Sequence, residues 1–177
     1  MSASVEGRCF LFPGRLHGNS EGRIQQAFSA RSTPQKLGGS KQYKLTFAPN
    51  EPLTRAMTVT ILARRAGVDT GGEPWYEAGR QWAMETGVSD GTNMAGDITR
   101  EQLAAMLYRA AGSPAVSGNL SGWADAENVS PWAQDAIAWA VETGIINGTS
   151  GTTLSPQGTA TRAQAAVMLM RFCEWNK

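Results

Sequence analysis

The sequence is poor in the residues that build metal centres, disulfide frameworks and nucleophilic active sites. It has one histidine, His17, and two cysteines, Cys9 and Cys173, near opposite ends of its 177 residues. Two cysteines cannot form a network of disulfides that stabilises a fold, and their spacing does not decide whether they pair. No Cys/His ligand cluster, phosphate-binding loop or Gly-x-Ser-x-Gly motif occurs. We therefore expect no catalytic residues, no bound metal and no cofactor.

The sequence also lacks long apolar runs and a strong charge of either sign. No stretch of 18 apolar residues occurs, so no membrane span is predicted. The apolar stretch at residues 9–13 is too short for the core of a signal peptide, so the chain as written shows no export signal. The net charge of +1 gives no reason to expect a nucleic acid or an anionic membrane as a partner.

The balanced charge conceals two compositions that are joined near Leu45. Residues 1–45 hold seven Lys and Arg against two Asp and Glu, whereas residues 46–177 hold nine against thirteen. Lysine is absent from the second part except at its last position, and all six tryptophans lie there. The first part is rich in Gly, Ser, Arg and Gln without a sustained period. We predict an irregular segment there, helical at most around residues 24–28.

The second part contains an internal repeat. Residues 74–92 align without a gap on residues 131–149, with nine identities in nineteen positions. A further element recurs at residues 53–67, 98–112 and 160–174, which align on a shared Thr-Arg pair. Each unit therefore consists of a helix, a Gly-rich loop and a Thr-Arg helix.

The repeat predicts four segments along the chain. Nothing upstream of residue 46 aligns with the first helix of the other units, so the first unit is incomplete. We expect that the chain starts at a truncated, misread or fused position and that its precursor begins further upstream with a signal peptide. The predicted segments are an irregular part at 1–45, half of a first repeat at 46–70, a second repeat at 71–114 and a third at 115–177.

Apolar spacing predicts helices and no strands. Apolar residues recur three and four positions apart in each unit, and no segment alternates with period two. In the third unit Ser130 is placed to cap a helix that opens with Pro131 at its first position. Gly87 and Gly144 are placed just beyond the first helices of their units, where glycine commonly ends a helix. The fold class is all-α, with tandem helix-loop-helix repeats.

The Thr-Arg helices begin with a capping signal and then with a cation. A Thr followed three residues later by Gln is the spacing of a capping box. In all three helices the residue directly after the Thr is an arginine. Its positive charge lies at the positive end of the helix dipole, which destabilises the helix by about 0.3–1 kcal/mol. A helix start also presents unpaired N–H groups that attract anions. The predicted capping residues are Thr54, Thr99, Gln102, Thr161 and Gln164, and the arginines are Arg55, Arg100 and Arg162.

These motifs resemble S-layer homology repeats over residues 46–177. The second unit lacks the apolar-x-Pro element, and the first has Met57 where Glu or Gln is usual. The third unit is the most complete: it has Trp123, Ala124 and Asp125, then Ser130, Pro131, Trp132 and Ala133, then residues 144–148, then Leu154, Ser155 and Pro156, and finally residues 161–164.

The resemblance implies a pseudo-threefold helical bundle that anchors exported proteins non-covalently to the bacterial cell wall. Clefts between such repeats bind secondary cell-wall polysaccharide, often through a pyruvylated sugar, whose single carboxylate suits the planar donor fork of arginine. It also implies an extracellular location in the cell wall or S-layer. Carried over residue by residue, the ligand-binding set is Arg55, Arg100, Arg162, Trp75, Trp132, Asp90, Gly91, Asn147 and Gly148.

Several alternatives stay open. The repeat could be degenerate and pack against other wall or surface-layer proteins without binding a glycan, or it could have accompanied a catalytic part now lost. A peptidoglycan-associated polymer could also be its partner. A single arginine could pair with Glu101 or another neighbouring carboxylate, although three in one register favour ligand contact. Trp82 and Trp139 lie mid-helix and are expected in the core. Asp90 and Asn147 could serve only the local turn before a glycine. For Asp125, Glu127 and Asn128 we favour caps or turns over a calcium loop.

Overall fold

The computed structural model describes residues 47–176. Within this range the regular structure is helical, with isolated bridges and no strand, which confirms the predicted all-α class. No helix in the described range is both long enough and apolar enough to span a lipid bilayer. The predicted irregular segment, with Cys9, His17 and the helical stretch at 24–28, lies outside the described residues. The helices are α1 (Arg55–Arg65), α2 (Glu77–Glu85), α3 (Arg100–Ala110), α4 (Gln134–Glu142) and α5 (Arg162–Trp175), with 3₁₀ turns at Ala126–Asn128 and Pro131–Ala133.

A closed ring of three backbone hydrogen bonds joins the three Thr-Arg elements. The N–H of Leu53 donates to the carbonyl of Ala160 (2.9 Å), Ala160 donates to Ile98 (2.9 Å), and Ile98 donates back to Leu53 (2.8 Å). Each of these residues directly precedes a capping threonine, and all three are fully buried. The ring places equivalent residues around one axis, as the predicted pseudo-threefold bundle requires.

The helices pack between units rather than only within them. The Thr-Arg helix α1 packs against α2, which belongs to the next unit, and α3 packs against α4 in the same manner. Trp139 is buried in the core, in edge contact with Phe172, as predicted from its mid-helix position. Trp82 is half-buried and packs against the same core. One continuous apolar core thus holds the units together.

The helix ends agree with the sequence at the glycines and differ from it at the start of α4. Gly87 and Gly144 follow α2 and α4 with φ of 72° and 73°, the left-handed conformation expected beyond a helix end. Pro131 opens a 3₁₀ turn, and the α-helix begins only at Gln134. Ser130 occupies the predicted cap position, but its side chain makes no capping bond, because its hydroxyl donates to Glu101 instead (2.9 Å).

Candidate functional site

The capping threonines hold the starts of the three Thr-Arg helices. At α3 the hydroxyl of Thr99 accepts the N–H of Gln102, and the Gln102 side chain accepts the N–H of Thr99, both at 3.2 Å. Thr161 and Gln164 form the same reciprocal pair at α5. At α1, Thr54 accepts the N–H of Met57 alone, because methionine cannot return the bond. Sequence and local geometry therefore agree at all three helix starts.

The other N–H groups of these first turns are also occupied. Arg55 and Ala56 donate their backbone N–H groups to the carbonyls of Gly96 and Met94, both at 2.9 Å. The equivalent groups of α3 bond to Gly158 and Pro156, and those of α5 bond to Glu51 and Pro49. The expectation of unpaired N–H groups that attract an anion is therefore wrong: carbonyls of the neighbouring unit satisfy them. A ligand at this site must be held by side chains.

The repeated arginine ties each unit to the next. Arg55 Nε donates to the carbonyl of Thr92 at 3.0 Å, and Arg100 Nε donates to the carbonyl of Leu154 at 2.8 Å. Arg162 Nη1 donates to the carbonyl of Phe47 at 3.3 Å. Each acceptor lies eight residues before the arginine of the unit that it belongs to. This shared contact gives the arginine a structural reason to recur at the positive end of a helix.

The three arginines differ in what their remaining donors reach. Arg55, whose side chain is 12% exposed, forms an ion pair with Asp90 (Nη2 to Oδ1, 2.7 Å). Arg100 is only 5% exposed, and its burial lowers its pKa while Asp125 acts in the opposite direction. Arg162 Nε is buried without a hydrogen-bond partner in the described part of the chain. Ligand contact by Arg100 and Arg162 stays a prediction.

Asp90 is held as an anion by the loop that contains it. Its Oδ1 accepts the backbone N–H of Thr92 at 3.0 Å. That bond and further hydrogen bonding from Thr92 lower the pKa of Asp90 most; burial opposes them, and the Arg55 charge and Ser89 add to the lowering. The hydroxyl of Ser89 belongs to the same hydrogen-bonded group as Arg55 and Asp90, because it accepts from Arg55 Nη2 at 3.2 Å. Asp90 is therefore ionised at neutral pH.

In the third unit, the loop is organised by a different carboxylate. Asp125 accepts the N–H groups of Leu154 (2.8 Å) and Ser155 (2.7 Å), one on each oxygen. Burial alone raises the pKa of Asp125, but these N–H groups and Arg100 outweigh it, so the pKa lies below its usual value. Asp125 thus holds a distant loop and makes no side-chain cap on the 3₁₀ turn that follows it, which differs from the cap or turn role predicted for it. In the described residues, no three His, Cys, Asp or Glu side chains are grouped so that they could hold a metal ion.

A cleft of about 330 Å³ lies where four elements meet. Its walls come from the start of α1, the loop after α2, one face of α3 and the turn before α4. Trp132 is 54% exposed, so much of its surface faces solvent. The lining residues are Arg55, Ser89, Asp90, Gln102, Ala105, Met106, Arg109 and Trp132.

The cleft unites three of the predicted ligand residues and leaves the others elsewhere. Arg55, Asp90 and Trp132 line it, whereas half-buried Trp75 packs edge-on against Tyr76, with ring centroids 5.6 Å apart. Gly91 and Gly148 have φ of 70° and 79°, and at Gly148 an added Cβ would lie 2.7 Å from two carbonyl oxygens. Backbone shape therefore requires both glycines, independently of any ligand.

Sequence reasoning missed Arg109, the second cation of the cleft. It lies nine residues after Arg100, and Arg64 and Arg171 occupy the same position of the other Thr-Arg helices. The alignment on Thr-Arg therefore contained the signal. Gln102 was predicted only as a cap, yet it also lines the cleft; its Oε1 bonds to Thr99, so its Nε2 is the group left for a ligand.

Glu101 positions the turn that carries Trp132. Its two oxygens accept the N–H of Ser130 (3.0 Å) and the hydroxyl of Ser130 (2.9 Å). Glu101 is 4% exposed, so this contact is shielded from water. The alternative that Glu101 neutralises Arg100 does not apply, because both of its oxygens are directed to Ser130.

Comparison with known proteins identifies the repeat. Residues 124–166 match the S-layer homology domain family. This stretch of the chain is similar to S-layer homology domains. The match falls within the third predicted repeat and confirms the resemblance that the motifs indicated.

The relatives are much longer than this chain. An amylopullulanase of Thermoanaerobacterium thermosulfurigenes is 28% identical over 146 residues, which are 72% of this chain and 8% of that protein. The surface-layer 125 kDa protein of Lysinibacillus sphaericus is 28% identical over 145 residues, 72% of this chain and 12% of that protein. Among solved structures, an undecaheme cytochrome from the S-layer of Carboxydothermus ferrireducens is 21% identical with a TM-score of 0.48, covering 77% of this chain and 19% of its own. The chain spans less than a fifth of each.

Proposed function

We propose that this S-layer homology-like domain is a non-catalytic module that anchors a protein non-covalently to the bacterial cell wall, at the cell surface. The domain match supports this function. Relatives as different as an amylopullulanase and a surface-layer protein carry a similar stretch as a small part of their length, which is typical of a module that serves different proteins.

The proposed ligand is an anionic secondary cell-wall polysaccharide, such as a pyruvylated one. The observation that carries this proposal is the cleft of about 330 Å³ with Arg55, Arg109 and Asp90 in its walls, which leaves a surplus of one positive charge. The exposed ring of Trp132 offers an apolar face to a sugar ring. A carboxylate on an otherwise neutral sugar would meet both a cation and an aromatic surface there.

Co-sedimentation with wall sacculi tests this function. Purified chain 1–177, checked for helical content by circular dichroism, is mixed with intact sacculi, with sacculi stripped of secondary polymers and with sacculi stripped only of pyruvyl groups. Pelleting with intact sacculi alone supports an anionic-glycan anchor. Equal pelleting with all three would contradict the proposed ligand class, and absence of pelleting from a folded protein would contradict wall anchoring.

The surface of α5 favours a second candidate function, packing against other surface-layer proteins. Val167 is 41% exposed, whereas Thr60 and Ala105, at the same position of α1 and α3, are 1% and 4% exposed. Gly79 of α2 lies directly on Thr60, so a helix covers that position in α1. Met170, one turn beyond Val167, is 39% exposed. The test is to mix the chain with glycan-free surface-layer protein and, separately, with cell walls. Binding to the protein that Met170→Glu abolishes, together with no pelleting on walls, would favour this candidate.

A further inference from the structure

The two arginines of the cleft have different surroundings. Arg55 is mostly buried and already serves three acceptors: the Thr92 carbonyl, the Ser89 hydroxyl and the Asp90 carboxylate. Arg109 is exposed, and its nearest acceptor in the described range is the carbonyl of Val88, at 3.5 Å from Nη1. No described carboxylate forms an ion pair with Arg109. The positive charge of Arg55 is thus balanced within the protein, and that of Arg109 is not.

The third unit differs at one of the equivalent contacts: Arg171 donates to the Ile145 carbonyl at 3.5 Å, as Arg109 does to Val88, but it also has a side-chain partner. Asn147 replaces Asp90 in the aligned loop, and Arg171 replaces Arg109. With the Asn147 amide oriented to satisfy its neighbours, its oxygen accepts from Arg171 Nη2 at 3.3 Å. The loop residue Asn147 thus contacts Arg171 in the third unit, whereas in the second unit Asp90 pairs with Arg55, and Arg109 keeps only its contact with the Val88 carbonyl. The loop residue therefore contacts a different arginine in each unit, and only Arg109 is both exposed and without a side-chain partner in the described residues.

The position of Arg109 suits a ligand in the cleft. Gln102, Ala105, Met106 and Arg109 are spaced so that they share one face of α3, and all of them line the cleft. An incoming anion near Arg55 would lie beside the carboxylate of Asp90, which repels it. Near Arg109 it meets an unbalanced guanidinium with its donor fork available.

Resting on the proposed glycan-binding function, we infer that the acidic group of the ligand binds Arg109 rather than the Thr-Arg arginine Arg55. Asp90 acts as the internal counter-ion that keeps Arg55 in its structural role. Asp90 and Arg109 together determine where the acidic group sits, and Trp132 contacts the adjoining sugar.

Three variants of the full chain test this inference with intact sacculi that bear pyruvylated polymer. Arg109→Gln is expected to weaken binding tenfold or more, because it removes a charge-assisted contact. Arg64→Gln is the matched control: it removes the arginine at the same position of α1, which does not line the cleft, and binding should stay within about twofold. Asp90→Asn is expected to strengthen binding several-fold, because it removes the repelling carboxylate and releases Arg55.

The outcomes separate this inference from the proposed function. Suppose that the wild type pellets with intact sacculi and that Arg109→Gln, with unchanged circular dichroism and melting temperature, pellets equally well. This result would overturn the role of Arg109 and leave wall anchoring intact. Weaker binding by Asp90→Asn would overturn the role of Asp90 as an internal counter-ion. Failure of the wild type to pellet with any sacculi would contradict the proposed function itself, and the inference with it.

Discussion

The carboxylate of Glu101 receives both the backbone N–H and the hydroxyl of Ser130, at 3.0 and 2.9 Å. This contact fixes the second repeat to the turn that starts the first helix of the third, two residues before Trp132. Ser130 stands at the predicted cap position, but its hydroxyl makes this contact and does not cap the helix start. A contact between units, rather than one within a helix, therefore determines where the exposed indole stands beside the cleft.

Glu101→Ala is expected to destabilise the protein by about 1–3 kcal/mol, because it leaves two donors of Ser130 without their charged acceptor. Urea unfolding followed by circular dichroism measures the change. The control is Glu127→Ala, which removes an exposed carboxylate with no hydrogen bond to the rest of the described chain and should change stability by less than about 0.5 kcal/mol. Equal effects of the two substitutions would show that the Ser130 contact contributes nothing.

The capping threonines give a second prediction. Thr99→Ala and Thr161→Ala should each lower the free energy of unfolding by about 1 kcal/mol, because each removes the acceptor for an N–H in the first turn of a helix. Thr159→Ala changes an exposed threonine, close in sequence, that caps no helix, and serves as the control. Chemical denaturation of the three variants in parallel provides the comparison. A loss at Thr159 as large as at Thr161 would argue against capping as the cause.

Local sequence signals predicted the fold well because they act over a few residues. The Thr-x-x-Gln spacing located the starts of α3 and α5, and Gly87 and Gly144 located the ends of α2 and α4. These signals depend on the backbone within one turn of helix, which a sequence displays directly. The start of α4 was misplaced by three residues because the chain forms a 3₁₀ turn at Pro131–Ala133 before the α-helix begins.

The candidate site was predicted less completely because its residues come from several units. The repeat alignment identified Arg55, Asp90 and Trp132, yet it could not show that Asp90 neutralises Arg55, since loop and helix meet only in the folded chain. Nor could it show that carbonyls of a neighbouring unit occupy the N–H groups at each helix start. Arg109 recurs in the alignment, but its place in the cleft depends on how α1, α3 and the turn before α4 pack together, which the alignment does not display.

Acid should weaken the domain partly through Asp125. Its pKa is lower in the folded chain than in the unfolded one, so its contribution to stability is complete at neutral pH. That contribution is lost as the pH falls through the unfolded value near about 3.9 and on to the lowered folded value. Asp125→Asn should be less stable than the wild type at pH 7 and should lose less stability between pH 6 and pH 3. Urea midpoints across this pH range measure both effects.

Asp97→Asn is the control for the acid experiment, because Asp97 is exposed and its side chain makes no hydrogen bond within the described residues. This variant should follow the wild-type pH dependence closely. If Asp125→Asn also followed the wild-type curve, the hydrogen bonds to Leu154 and Ser155 would not depend on the charge of Asp125.

Gly148, a predicted ligand residue, should instead prove to be required by the backbone. Gly148→Ala combines a left-handed φ of 79° with a Cβ placed 2.7 Å from the carbonyl oxygens of Ser150 and Thr153, neither of which can move without shifting the loop. Gly112→Ala is the matched control: its φ is 84°, but nothing lies within 4 Å of the added Cβ. Gly112→Ala should lower the free energy of unfolding by about 1–2 kcal/mol, as is usual for a non-glycine residue in the left-handed conformation, and Gly148→Ala should lower it clearly more.

Thermal and urea unfolding of both variants measure the difference. Equal losses would mean that the loop around Gly148 can relax, and a variant of unchanged stability that no longer pelleted with sacculi would restore the ligand role.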